Sequence, residues 1–257
     1  MDDSSKYRRT IIALSGAIGL LLILNGCGRD GGREVQGNVL SLRGTVTFVD
    51  GKESTRHQQP LTVGSKLSVG DRLETSPNSV ASLLLIPGMF VQIGAGTEIV
   101  IEELRVQKQG DAMVDAIKSR RATLHMNHGV IYASLPSVGS GACELNLQTD
   151  LGTLVAQRGA LVSMRLTSET VRVICVDGEV RWSSAGGERV DEISQGYFRD
   201  YRRHDVPDGD LKTGLTPVTE DAGAQTDTAA TLDSAAAFDE FALRVRNAPA
   251  PKKQSSN

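Results

Sequence analysis

Hydrophobic and polar residues alternate in short runs along most of the chain, and this alternation predicts β-strands. In residues 170–176 the apolar Val171, Val173 and Cys175 occupy every second position, as in a strand with one buried face. Similar runs, rich in β-branched residues and bounded by Gly, Asn, Asp or Pro, lie at 44–49, 80–86, 98–106, 129–135, 154–166 and 179–183. Turn residues that recur every 8–12 residues or so predict an all-β fold, either an antiparallel sandwich or a rolled barrel of short strands.

Two features of this pattern concern the connections between strands. Asp50-Gly51 and Asp177-Gly178 separate apolar runs, and Asp-Gly is typical of a two-residue β-hairpin turn. Residues 107–126 interrupt the alternation. Asp111 could cap one or two helical turns there, and a long hairpin loop is the alternative.

The N-terminal segment has the layout of an export signal. Lys6, Arg8 and Arg9 precede an uncharged run from residue 10 to residue 24. This run is shorter than the roughly 20 apolar residues of a membrane span and fits the core of a signal peptide. The sequence therefore predicts a signal peptide at 1–26 and a Gly-rich spacer at 27–37, before a β-domain at 38–201.

The residues around Cys27 resemble the lipobox of bacterial lipoproteins, in which a hydrophobic residue and two mostly small residues precede the cysteine. The matching residues are Leu24, Asn25, Gly26 and Cys27. The resemblance implies cleavage before Cys27, lipidation of its sulfur and acylation with chains such as palmitate, which would hold the protein on a membrane. Since Gly28 is not an inner-membrane retention signal, the expected location is the periplasmic side of the outer membrane. The alternative is that residues 10–26 remain as an uncut anchor.

The C-terminal part changes in character. Residues 202–231 are acidic and poor in apolar residues, which predicts a flexible linker. In 232–248 Phe238, Phe241, Ala242 and Val245 fall on one helical stripe, which predicts an amphipathic helix before a disordered tail at 249–257. Phe238 and Phe241 are candidates for binding a partner, and packing of the stripe onto the β-domain is the alternative.

Net charge, cysteines and histidines limit the ligands and reactions that the sequence predicts. A net charge of −3 gives no electrostatic basis for binding nucleic acid. Cys143 and Cys175 could form a disulfide in an oxidising compartment, or both could be small buried hydrophobic residues. His125 and His128 point to opposite faces of a strand, so the sequence predicts neither a metal site nor a cofactor. No catalytic motif is present, and the protein is predicted not to be an enzyme.

An ordered set of motifs resembles the FecR domain, the exported β-domain of ferric-citrate regulators. The segment 61–75 reads LTVGSKLSVGDRLET and is similar to the family's "L-x-x-G-x-x-L-x-x-G-D-x-I-x-T". Further segments that match in order are 44–46, 79–85, 94–99, 128–130, 145–152, 156–160, 173–180 and 194–196. Full regulators of this family also carry a cytoplasmic part that controls a sigma factor. At most nine residues precede the uncharged run here, too few for such a part. The resemblance therefore implies the sensory or interaction half of a regulator.

Three functions remain open from the sequence. The first is a non-catalytic, lipid-tethered module that binds a protein or a cell-envelope polymer. The second is a single-span, signal-anchored regulator in a transmembrane signalling system, and the third is an envelope glycan-binding protein. Arg158 lies between apolar strand residues, where it could pair with a carboxylate as part of the scaffold or face a partner.

Overall fold

The computed structural model describes residues 32–51, 58–108, 117–137, 139, 141–187, 189–203 and 215–247. The chain divides into two compact units, 1–31 and 32–257, and every described residue belongs to the second. The predicted signal peptide, Cys27 and the predicted tail therefore lie outside the described residues.

The described part of the chain is built mainly of strands. In chain order the strands are β1 Arg33–Glu34, β2 Gly37–Arg43, β3 Val46–Val49, β4 Gln59–Pro60, β5 Lys66–Leu67, β6 Arg72–Thr75, β7 Val80–Ile86, β8 Met89–Ile93, β9 Glu98–Lys108, β10 Ile117–Ser134, β11 Ala142–Thr149, β12 Gly152–Gln157, β13 Leu161–Leu166, β14 Thr170–Asp177, β15 Glu179–Ser184, β16 Val190–Ser194, β17 Tyr197–Arg202 and β18 Thr216–Pro217. A 3₁₀ turn, Val218–Glu220, and one long helix, α1 (Ala222–Asn247), follow. The all-β prediction is confirmed.

The strands form two sheets that share β10. Sheet I has the order β4-β3-β6-β9-β10-β11-β12-β15-β16, with β1 also paired to β9. Sheet II has the order β5-β2-β7-β8-β10-β13-β14-β17-β18. The described pairings are antiparallel apart from the parallel pair β10–β11. The two sheets are thus joined through one central strand.

Strand β10 passes from sheet I to sheet II at Gly129. Its first half pairs with β9 and β11, and its second half, from Gly129 onward, pairs with β8 and β13. Gly129 has φ +105°, and a Cβ there would overlap the backbone of Thr97. The Thr97 hydroxyl accepts a hydrogen bond from the Val130 amide at 3.0 Å. Glycine is therefore required where the strand bends between the sheets.

The prediction of a β-hairpin turn at Asp177-Gly178 is wrong. β14 pairs with β13 and β17 in sheet II, whereas β15 pairs with β12 and β16 in sheet I. Gly178 has φ +76°, which here lets the chain turn a corner from one sheet to the other. A positive φ occurs both in hairpin turns and at corners between sheets, so the Asp-Gly dipeptide alone does not distinguish the two.

The interrupted segment at 107–126 belongs to long strands in its described part. β9 and β10 pair antiparallel, so the two strands form a hairpin whose residues 109–116 lie outside the described residues. The helical turn predicted at Asp111 belongs to this same stretch and is therefore also outside the described residues.

The main core lies between the two sheets. Its most deeply buried large side chains include Leu73, Leu83, Leu124 and Trp182, each at most 1% exposed. Cys143 and Cys175 are buried in the same core as free thiols, so the disulfide is not formed. Burial raises the pKa of the Cys175 thiol to about 12.

The C-terminal part departs from the sequence prediction. The described residues of the predicted linker include β18, the 3₁₀ turn and the start of α1 at Ala222, well before the predicted start at residue 232. α1 packs on the outer face of sheet II, against β10, β13 and β14. The hydrophobic stripe used for prediction covers only the C-terminal part of the helix.

Candidate functional site: the helix-covered face of sheet II

The outer face of sheet II differs from its inner face because it carries charged and aromatic side chains beneath α1. We call this surface the helix-binding face. Its residues are Phe90, Tyr132, Arg165, Arg172, Ile174 and Phe198. They lie on β8, β10, β13, β14 and β17, and alternation along each strand places them opposite the residues of the main core.

α1 buries an unusual stripe against this face. The buried residues are Ala224, Asp227, Thr231, Ser234 and Phe238, which follow the three-and-four spacing of one helix face. A helix docked on a β-sheet ordinarily buries large aliphatic residues at such positions. Here a large apolar side chain is present only at the Phe238 end of the stripe.

Asp227 forms an ion pair with Arg165 across the interface. Arg165 Nε donates a hydrogen bond to Asp227 Oδ2 at 3.0 Å, and its Nη2 donates to the other carboxylate oxygen. The Asp227 side chain is 5% exposed and that of Arg165 is 43% exposed, so the carboxylate is buried while the guanidinium reaches solvent. Burial raises the pKa of the neighbouring Tyr132, and the negative charge of Asp227 adds to this effect. The desolvation of Asp227 offsets much of the attraction, so the pair orients α1 more than it stabilises it.

Arg172 joins the N-terminal end of α1 to sheet II. Its Nε and Nη2 donate to the two carboxylate oxygens of Asp200 on β17, at 2.7 and 2.8 Å, and its Nη1 donates to Asp221 Oδ1 at 2.8 Å. The guanidinium also lies 4.7 Å from the centre of the Phe198 ring, a cation–π contact. Because Asp200 belongs to the sheet, Arg172 keeps one carboxylate partner whether or not α1 is in place.

Asp221 caps the helix that it attaches. Its Oδ1 accepts a hydrogen bond from the Ala224 amide at 2.7 Å, the geometry of an N-cap residue. This backbone hydrogen bond lowers the pKa of Asp221, and the nearby Arg172 lowers it further. A single carboxylate therefore both starts the helix and links it to the sheet.

Apolar contacts hold α1 at two separate places. At its N-terminal end Ala224 packs with Ile174, Phe198 and Val218 in a small cluster distinct from the main core. Toward its C-terminal end Phe238 stacks on Phe90, with ring centres 4.8 Å apart. Between the two contacts, the buried residues of α1 are polar.

Two buried hydroxyls in α1 are not satisfied. Within the described residues, neither Thr228 Oγ1 nor Ser234 Oγ has a hydrogen-bond partner, although both atoms are buried. A buried hydroxyl without a partner costs about 1–3 kcal/mol. The middle of the interface therefore contributes little to holding the helix.

The predicted partner-binding residues lie in different places. Phe238 is 4% exposed and packs against the domain, as the alternative interpretation had it. Phe241 is half-buried beside a cavity of about 220 Å³ between α1 and the strands β2 and β7. Arg158 lies elsewhere, at a polar cleft on the outer face of sheet I, where its Nη1 donates to the Gly139 carbonyl.

The sequence reasoning missed Arg165, Arg172, Asp221 and Asp227. A signal for the helix was present in the three-and-four spacing of the residues at 224, 227, 231, 234 and 238. This spacing was missed because helix prediction from hydrophobic periodicity looks for apolar residues, whereas most of these positions hold Ala, Asp, Thr or Ser.

Another buried ion cluster lies between β16 and β17 and serves the scaffold. Asp191 is 3% exposed and forms ion pairs with Arg189 at 3.0 Å and Arg199 at 3.5 Å. Tyr201 stacks on Trp182 with ring centres 4.6 Å apart, and burial raises the pKa of its hydroxyl. These contacts tie β16 of sheet I and β17 of sheet II to the main core.

Asp71 and Thr75, the polar residues at the end of the 61–75 motif, also have structural roles. Asp71 accepts hydrogen bonds from the amides of Ser68 at 2.7 Å and Gly51 at 3.2 Å. Thr75 accepts from the Thr97 amide at 2.8 Å. These side chains satisfy backbone groups at the corners of the sheets and are not arranged for acid–base chemistry.

Two properties of the described residues concern metal binding and membrane spanning. In the described ranges, no three or more His, Cys, Asp or Glu side chains are grouped so that they could hold a metal ion. None of the helices described here combines the length and the hydropathy of a membrane span.

Comparison with known proteins gives one family. The family described as "FecR protein" matches residues 71–181. No curated protein sequence matches the chain. Two crystal structures of "a putative anti-sigma factor from Parabacteroides distasonis ATCC 8503", at 1.65 and 2.50 Å resolution, each match with 12% identity and a TM-score of 0.37. The match covers 57% of this chain and 59% of theirs, so the chain spans less than two thirds of those structures.

Proposed function

We propose that the protein is a non-catalytic regulatory module that binds a protein partner at the bacterial cell envelope, because residues 71–181 match the FecR protein family. The family match is the observation that carries the proposal. The roles of Asp71, Thr75 and Thr97 in satisfying the backbone are consistent with it, because they account for the polar motif residues without any catalytic task.

The proposal includes a lipid tether at Cys27. Its support is the sequence, in which a short uncharged run ends at a lipobox-like Leu24–Cys27 stretch. Two or more acyl chains on one cysteine would hold the domain stably on a membrane, whereas one chain binds only marginally. The domain would then face the periplasm, with the outer membrane as the expected site.

The tether is tested by replacing the cysteine. We expect the wild-type protein to fractionate with membranes and to show, by intact-mass spectrometry, a chain that starts at an acylated Cys27. The Cys27→Ala variant should lose the lipid and leave its membrane, whereas the matched Cys143→Ala variant should behave as wild type. An unmodified full-length chain in the cytosol would contradict the proposal.

The same experiment decides between the tether and the alternative of a signal-anchored regulator. If residues 10–26 remain as an anchor, Cys27→Ala stays in the membrane fraction. Crosslinking in intact envelopes then tests the regulatory role, with a protein crosslinked to the domain as the expected result. Crosslinks to glycan alone would favour an envelope glycan-binding protein, for which the cleft beside Arg158 is the site to examine.

A further inference from the structure

We propose that α1 is a displaceable cover of the helix-binding face, and that this face binds an acidic amphipathic helix of a partner protein. The inference rests on the proposed function, because it names the surface through which the regulatory module would meet its partner.

The buried stripe of α1 consists mainly of small and polar residues. Asp227, Thr231 and Ser234 occupy its central positions, whereas the residues of the helix-binding face include phenylalanines, a tyrosine and Ile174 as well as arginines. The buried hydroxyls of Thr228 and Ser234 have no partner within the described part of the chain. α1 therefore fits the face without being optimal for it, and a helix with larger apolar residues would bind better.

The helix-binding face does not depend on α1 for its order. Its side chains project from strands whose opposite faces lie in the main core, for example Val173 and Cys175 beside Ile174. Arg172 keeps its two hydrogen bonds to Asp200 on the neighbouring strand. Removal of α1 would thus leave an ordered surface with Phe90, Ile174 and Phe198 exposed.

Charge complementarity defines the helix that would occupy this face. Arg165 and Arg172 receive carboxylates from Asp227 and Asp221, which are about two helical turns apart. Phe90 stacks on the ring of Phe238, which lies about three helical turns beyond Asp227. A partner helix would need acids and an aromatic residue at this spacing, with aliphatic residues at the positions of Thr231 and Ser234.

The probe for this test is a synthetic peptide with the sequence of residues 220–247, carrying Thr231→Leu and Ser234→Leu and a fluorescent label. The protein is the full chain with Cys27→Ala. We expect the Phe238→Ala variant, in which α1 loses its aromatic anchor, to bind the peptide at least tenfold more tightly than the parent. The reason is that a competing intramolecular helix reduces the apparent affinity in proportion to the time that it covers the face.

Two controls locate the binding site. Arg165→Glu in the Phe238→Ala background should weaken peptide binding at least tenfold, whereas Arg181→Glu, an exposed position on sheet I, should not. A peptide with Asp227→Arg should bind Arg165→Glu better than it binds the arginine form. Trp182 fluorescence reports whether each variant retains the main core. Ala224→Gln, which places a larger side chain at a fully buried position of α1, provides a second way to weaken the helix if Phe238→Ala disturbs the core.

Other outcomes overturn the inference. Failure of the peptide to bind either weakened variant would show that the face accepts no second helix. Binding that is insensitive to Arg165→Glu would place the peptide elsewhere. A dimer of the Phe238→Ala variant that forms with increasing concentration and blocks the peptide would assign the face to a second copy of this chain.

Failure here is separable from failure of the proposed function. The peptide assay requires neither a membrane nor a natural partner. If the envelope crosslinks form and the peptide does not bind, the regulatory module stands and its partner uses another surface. If the peptide binds and no protein crosslinks, the proposed function fails while the displaceable helix remains.

Discussion

The main core between the sheets and the interface beneath α1 are built in opposite ways. The core consists of large aliphatic side chains and Trp182, almost all of them inaccessible to solvent. The helix interface has two small apolar contacts separated by Asp227, Thr231 and Ser234. Since burying one large aliphatic side chain contributes about 1.5–3 kcal/mol, the difference in apolar burial dominates the contrast.

Because of this difference, the main core and the interface beneath α1 need not unfold together. Ion pairs such as Arg165–Asp227 give α1 a defined position and register, and their net contribution to stability is small because the carboxylate is desolvated. The sheets have their own continuous core. The helix should therefore leave its face while the sandwich stays folded.

The largest effect is expected where the two sheets are joined. In Gly129→Ala the new Cβ overlaps the backbone of Thr97, and the positive φ adds strain. We expect a loss of more than about 4 kcal/mol in the free energy of unfolding, measured by urea titration of Trp182 fluorescence. Gly96→Ala is the matched control, because its φ of +58° is also positive but nothing lies near its Cβ. It should cost roughly 1–2 kcal/mol, and equal losses would refute the steric account.

A large effect is also expected from the core itself. Leu124 on β10 is 0% exposed, and Leu124→Ala should lower the free energy of unfolding by about 2–5 kcal/mol. The strand signal should be lost at a lower denaturant concentration than in the parent protein, and the helix signal should be lost no later than the strand signal. If only the helix signal moved, the core would not be the region that sets global stability.

A smaller global effect is expected at the helix anchor. Phe238→Ala removes the stack on Phe90, so α1 should become sensitive to limited proteolysis while the midpoint of Trp182 unfolding changes by less than about 1 kcal/mol in equivalent free energy. Leu232→Ala, on the exposed side of α1, is the control and should leave both readouts unchanged. A large drop in global stability would mean that helix and sandwich form one cooperative unit.

The smallest effect concerns pH. The pKa of Asp221 is lowered in the folded protein by the Ala224 amide, with help from Arg172. This contribution to helix docking is therefore fully present above the ordinary carboxyl pKa of about 4 and is lost as the pH falls through the lowered value. Helix protection against proteolysis by an acid-active protease should decrease over that range, and Asp221→Asn, which retains a capping side chain, should remove this component. An unchanged acid profile in Asp221→Asn would contradict it.

How much could be predicted from the sequence also differs between the regions. The all-β class and the FecR resemblance were correct because the strands carry a period of two and the corner residues Gly70, Asp71 and Thr75 have fixed backbone tasks. The Asp177-Gly178 corner was misassigned, because local turn chemistry does not state which sheet the next strand joins.

The helix-binding face could not have been predicted by the same reasoning. Arg165 and Asp227 are far apart in the chain, and an isolated arginine on a strand usually lies in solvent. The start of α1 was missed because its buried stripe is small and polar. The predicted binding role of Phe238 and Phe241 pointed to the correct helix, whereas the charges on which its orientation depends appear only when the helix is placed on sheet II.

Native-state hydrogen exchange, followed by mass spectrometry at increasing urea, tests the central claim most directly. The account predicts that amides of α1 exchange through an opening of lower free energy and smaller urea dependence than amides of β10, which should exchange only through global unfolding. Exchange of α1 and β10 with the same opening free energy and the same urea dependence would contradict it, because the helix would then never leave its face without the sandwich.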